Sequence, residues 1–94
     1  MLIKWLTLAL ADIEQIEAYI YKDNSSTANK VIQLIYNNIQ YLLKHPDLGR
    51  PGRVPNTREL IIENTSYLVP YRVRENEIQI LRILHSSMKW PDDF

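Results

Sequence analysis

The spacing of apolar residues changes period twice along the chain, and each change marks an element. Residues 2–6, LIKWL, put Ile3 and Trp5 on one side and Lys4 on the other, the period-two pattern of a short strand. From about Leu8 to Lys22 the spacing turns helical, with Ile13, Ile16 and Ile20 on one stripe. Asp12, Glu14 and Glu17 fall in the first half of that helix, where its dipole favours carboxylates. The run DNSS, Asp23 to Ser26, supplies breakers and hydroxyl caps. A second helical stripe follows through Ala28, Val31, Ile35, Ile39 and Leu42, reaching His45 and stopping at Pro46. Two amphipathic helices joined by a short polar turn form an αα-hairpin, and both stripes need an apolar surface to cover.

HPDLGRPGRVPN, His45 to Asn56, holds three of the five prolines and both glycines, so it reads as a loop with Arg50 and Arg53 at its tip. Three strand-like runs follow it. TRELII covers 57–62. In YLVPYRV, Tyr67, Val69, Tyr71 and Val73 share a face. EIQILRIL, Glu77 to Leu84, is apolar on both faces, as expected of a central strand: Ile78, Ile80, Arg82 and Leu84 on one side, Leu81, Ile83 and His85 on the other. Glu75 and Asn76 make the turn between the last two runs, a weaker hairpin signal than Asn-Gly. Pro70 cannot donate to a ladder, so either its N–H position faces away from a partner or a bulge interrupts the pairing.

The pattern predicts an α+β domain spanning residues 1–94. An N-terminal strand, a helical hairpin and three further strands form a mostly antiparallel four-stranded sheet. The hairpin packs on one face, the first strand pairs with the central last strand, and the other face stays partly open.

Composition narrows the chemistry. A 46% apolar chain of 94 residues supports a packed core. There is no Cys, which excludes disulfides, thiolate catalysis and Cys-ligated zinc. The apolar N-terminus is too short for a membrane span and has the wrong flanks for a signal peptide, which predicts a soluble, cytoplasmic protein without a membrane partner. Net charge is zero, which argues against a general grip on phosphate backbones. All six arginines nevertheless lie beyond residue 49, so any anion-facing surface belongs to the C-terminal half.

Ser86 and Ser87 beside His85 suggest a serine nucleophile, but no nucleophile-elbow motif surrounds them. His45 and His85 are the only histidines, with no ligand spacing around them, and no Gly-rich phosphate loop is present, so neither a metal nor a cofactor is expected. Acid–base or electrostatic work on a phosphodiester remains, for which Arg58, Arg72, Arg82, His85, Lys89 and Trp90 are the right residue types. Each also has a structural reading. His85 suits a hydrogen-bonded strand end, Arg82 a core cap and Trp90 a plug for the tail; Tyr67 and Tyr71 suit the core.

Residues Gly49 to Pro91, with GRPGR, TREL, Y-x-x-x-Y-R-V and I-L-R-I-L-H-x-x-x-x-W-P, resemble the C-terminal half of the RelE/ParE superfamily of bacterial toxins. ALADIEQIEAYI, Ala9 to Ile20, is similar to that superfamily's first helix. The resemblance implies the toxin of a type II toxin–antitoxin, or plasmid stabilisation, module: growth-inhibiting when free and neutralised by a cognate antitoxin that orders on binding. It implies either of two targets, because RelE-like members cut messenger RNA on the ribosome without a metal and ParE-like members inhibit DNA gyrase. A degenerate toxin that acts only as a binding partner is a third reading.

RelE-like nucleases carry an arginine where this chain has Leu68, and often another where it has Met88. Each missing cation removes roughly 3 kcal/mol of transition-state stabilisation. The departures favour the gyrase inhibitor, with Arg58, Arg72, Arg82, His85, Lys89 and Trp90 as target-contact candidates. Whether the chain is an enzyme stays open; under the nuclease reading His85 is the acid or base and Arg82 the phosphate clamp.

Overall fold

The computed structural model describes residues 1–88 and Pro91. Strand β1 (Leu2–Trp5) leads into helix α1 (Thr7–Asp23), and α2 (Ser25–Tyr41) follows after one residue. That residue, Asn24, serves both helices: its N–H donates to the Ile20 carbonyl at 3.0 Å and its Oδ1 accepts from the Thr27 N–H at 3.0 Å. One side chain therefore makes the turn that the sequence spread over Asp23–Ser26. Asn24→Ala is expected to cost about 1 kcal/mol, measured by chemical denaturation; no change in midpoint would show the cap to be dispensable.

The remaining elements are β2 (Arg50–Pro51), β3 (Arg58–Ile61), β4 (Tyr67–Arg74), β5 (Glu77–Ile80) and β6 (Leu84–His85). The sheet runs β1-β5-β4-β3-β2, and β6 also pairs with β4. β1 is parallel to β5 and every other pairing is antiparallel. The α+β class and the element order follow the sequence pattern, and the sheet is wider than four strands for two reasons. The proline-rich loop contributes β2, and the last apolar run is split.

The split has a cause in Pro70. Ile80 lies opposite Tyr71 and Leu84 opposite Leu68, so the three residues 81–83 span only Val69 and Pro70. One extra residue on one strand is a β-bulge. The Leu81 N–H donates to the Pro70 carbonyl at 3.0 Å, and Pro70, lacking an N–H, has nothing to return. Past the bulge the alternation changes phase. Ile78, Ile80 and Ile83 join one core with Ala9, Ile13, Ile35, Ile39, Val69 and Tyr71. The simple period that put Ile83 opposite Ile78 and Ile80 is thus corrected.

β4 is the middle strand of the path, with β5 between it and β1. Away from the helices, Leu68, Pro70 and Leu84 are buried, so the second face, expected to be partly open, is closed at these positions. Elsewhere that face is polar: Arg72 Nε donates to Gln79 Oε1 at 2.7 Å and Gln79 Nε2 to Glu77 Oε1 at 2.8 Å.

The β4–β5 turn holds Glu75 and Asn76 at φ 54° and 59°, a type I′ geometry. Glutamate has no local hydrogen bond with which to offset the left-handed conformation. Replacing the pair with Asn-Gly is expected to stabilise the fold by about 1 kcal/mol, read as a higher denaturation midpoint. A lower midpoint would mean that Glu75 makes a compensating contact.

Candidate functional site

The bulge aims Arg82 at α1. Its Nε and Nη2 donate to Asp12 Oδ2 and Oδ1 at 2.7 and 3.0 Å, and the Ile83 N–H donates to Asp12 Oδ2 at 2.9 Å. One carboxylate on the first helix thus holds both a guanidinium and a backbone group that left the ladder. The bond to Asp12 raises the Arg82 pKa, with burial opposing it, so the side chain stays cationic.

Three residues after Arg82, His85 meets Tyr67 edge-to-face at a ring separation of 5.3 Å. Its Nδ1 accepts from the Ser87 N–H at 3.1 Å and lies 2.6 Å from Ser87 Oγ. A ring nitrogen that accepts a backbone N–H carries no proton, so the neutral imidazole bears its hydrogen on Nε2. The His85 N–H in turn donates to the Met88 sulfur at 3.2 Å, closing a tight turn after β6.

Between this turn and α1 runs a groove of about 510 Å³. Ile16 and Ile83 give it apolar wall, Tyr19, Tyr67 and His85 give it rings, and Asp12, Gln15 and Ser87 give it polar groups. Burial, and then the nearby Tyr19, raise the Tyr67 pKa, so the Tyr67 phenol keeps its proton well beyond neutrality. A neighbouring groove of about 650 Å³ is lined by Arg82 and Lys4 with Trp5, Leu8 and Pro91. The ion pair is divided between the two: Asp12 lines the first and Arg82 the second.

The other arginines with described contacts are engaged elsewhere. Arg58 Nη1 donates to the Gly49 and Asp47 carbonyls at 2.7 and 3.1 Å. Beside it the Tyr71 hydroxyl, fully buried, donates to the Pro46 carbonyl and accepts the Gly49 N–H, both at 2.8 Å. Arg50 pairs with the buried Glu59 at 3.1 Å, and Glu59 also accepts the Arg53 N–H at 2.8 Å. The basic loop is therefore held onto the sheet edge by side chains of β3 and β4 together with its own Arg50.

Of the candidates read from the sequence, Arg82 and His85 are brought to one end of the sheet, on different grooves. Arg58 lies under the proline-rich loop and Arg72 on the face away from the helices. Lys89 and Trp90 lie outside the described residues. Among the described residues there is no cluster of three or more His, Asp or Glu that could hold a metal, and no helix is long and apolar enough to cross a membrane. Sequence reasoning missed Asp12, Gln15 and Tyr19. A signal for the first existed: Asp12 stands beside Ala9, Ile13 and Ile16 on a buried stripe, and a carboxylate there needs a partner.

Residues 3–90 match the family model described as ParE toxin of type II toxin-antitoxin system, parDE. The chain belongs to the ParE toxin family. This places it in the RelE/ParE superfamily of type II toxin–antitoxin toxins that the motifs resemble. Relatives span nearly its whole length. Y4kP of Sinorhizobium fredii, whose name carries the word toxin, is 37% identical over 89 residues, covering 95% of this chain and 92% of its own. Toxin RelE3 of Caulobacter vibrioides is 32% identical over 80 residues, covering 83% of this chain and 86% of its own. Among solved structures, a chain of the chromosomal ParDE TA system from P. aeruginosa superposes with a TM-score of 0.82 at 35% identity, over 90% of this chain and 95% of that one. The helical hairpin on a mixed sheet is therefore shared with a chain of that ParDE system.

Proposed function

We propose that this ParE-family chain is the growth-arresting toxin of a type II module, that a cognate antitoxin keeps it silent, and that when free it inhibits DNA gyrase by binding. The observation that carries the choice of gyrase is the engagement of its cations. Cleaving RNA through its own 2′-hydroxyl needs a base, an acid and a cation around one phosphate. Around the His85 groove no arginine or lysine is among the described lining residues, and Arg82 opens to the other groove, tied to Asp12. Arg58 and Arg72 are engaged with the loop carbonyls and with Gln79. A protein-binding surface needs no such convergence; buried aromatics and a few placed polar groups serve it.

The test is a supercoiling assay with purified gyrase and a stoichiometric excess of this chain. Supercoiling should fall and be restored by the antitoxin encoded beside it. Unchanged supercoiling overturns the gyrase reading. The similarity to Toxin RelE3 keeps a ribosome-dependent nuclease as the second reading. That reading requires His85→Ala to abolish toxicity and leave antitoxin binding intact.

A further inference from the structure

We infer that the groove between α1 and the turn after β6 is an anchor pocket for an arginine side chain presented by a protein partner. The inference rests on the reading that the chain acts by gripping other proteins. Its support is the chemistry of the lining. Tyr19, Tyr67 and His85 bring three rings to a groove of about 510 Å³, and Asp12, Gln15 and Ser87 bring oxygen acceptors. Rings and oxygens, with no lysine or arginine among the described lining residues, fit a planar cation, which stacks on ring faces and donates in several directions at once.

Three details sharpen the match. Asp12 Oδ2 is filled by Arg82 Nε and the Ile83 N–H, whereas Oδ1 has one described donor, Arg82 Nη2, and keeps acceptor capacity. The balancing guanidinium of Arg82 lines the neighbouring groove, so the carboxylate side of the pair is the one this groove presents. The Tyr19 and Tyr67 hydroxyls and the Gln15 amide make no hydrogen bond among the described residues, which leaves them available to an incoming donor. A compact ammonium would meet the same acceptors but forgo the stacking, which is why an arginine is favoured over a lysine.

The probe is Nα-acetyl-arginine N-methylamide, titrated into the labelled chain and followed by amide chemical shifts, with the citrulline analogue as a neutral isostere. Saturable shifts are expected at Gln15, Tyr19, Tyr67 and Ser87, with citrulline binding about fivefold more weakly. Tyr19→Ala, at an exposed position, should remove most of the response while the rest of the spectrum stays native; Tyr67→Phe, which keeps the ring, should retain part of it. Equal binding of the two probes, absence of saturable shifts, or indifference to Tyr19→Ala overturns the assignment. None of these readouts involves gyrase or RNA, so failure here is distinct from failure of the target reading.

Discussion

Asp12→Ala is expected to destabilise the fold by about 3 kcal/mol, which for a domain of this size lowers the melting temperature by roughly 15 °C. Two costs combine. Arg82, whose side chain is 21% exposed, loses the carboxylate that balances its charge, and the Ile83 N–H, displaced from the ladder by the bulge, loses its acceptor. The bulge has no second tie to α1 among the described hydrogen bonds. Arg82→Met combined with Asp12→Ala should be milder than Asp12→Ala by itself, because the uncompensated charge goes with its partner. A loss below about 1 kcal/mol in Asp12→Ala would show that water replaces the carboxylate and that the bulge stands without it.

Tyr71→Phe comes next, at about 2 kcal/mol. The ring sits fully buried in the core while its hydroxyl reaches the proline-rich loop, donating to Pro46 and accepting from Gly49. Phenylalanine keeps the packing and leaves both backbone groups without their partner. Gly49 belongs to the same lock, because a Cβ there would lie 2.6 Å from the Tyr71 ring. Burial raises the Tyr71 pKa above its usual value, with the Gly49 bond and the Arg58 charge pulling the other way. The folded chain therefore holds this proton more tightly than the unfolded one. The resulting stability is complete below the unfolded phenol's pKa of about 10 and is lost as pH climbs through the folded value. Spectrophotometric titration should show a late-ionising tyrosine in the parent that Tyr71→Phe removes, together with a denaturation midpoint that falls less steeply at alkaline pH. If the variant keeps full stability at neutral pH, the hydroxyl does not lock the loop.

These two residues mark the line between what the sequence makes legible and what it hides. Both helices, their order and the three main strand runs are local matters of period, and period is visible in a single chain. The partner of β1 follows from an apolar run with two buried faces. The bulge is hinted at by Pro70, whose missing N–H allows two solutions; choosing between them takes the pairing of residues 67–68 with 84–85, a long-range fact. Once the bulge is missed, every residue after Leu81 is assigned to the wrong face, and Arg82 looks like a core cap beside Ile78 and Ile80. The surroundings of the candidate site residues are hidden in the same way. Residue types advertise Arg58, Arg72 and Arg82, whereas what decides their use is the acceptor each one finds: loop carbonyls, Gln79 and Asp12. Those acceptors come from 9, 7 and 70 residues away in sequence, and no local pattern selects them.

Under the gyrase proposal, this ParE-family chain arrests growth by binding and leaves RNA intact. The proposal's most direct test is pulse labelling of DNA and protein synthesis in parallel, minutes after the chain is induced without its antitoxin. DNA synthesis should fall first, with His85→Ala leaving that order unchanged. A prior loss of protein synthesis, abolished by His85→Ala, would contradict the account and make His85 a catalytic group.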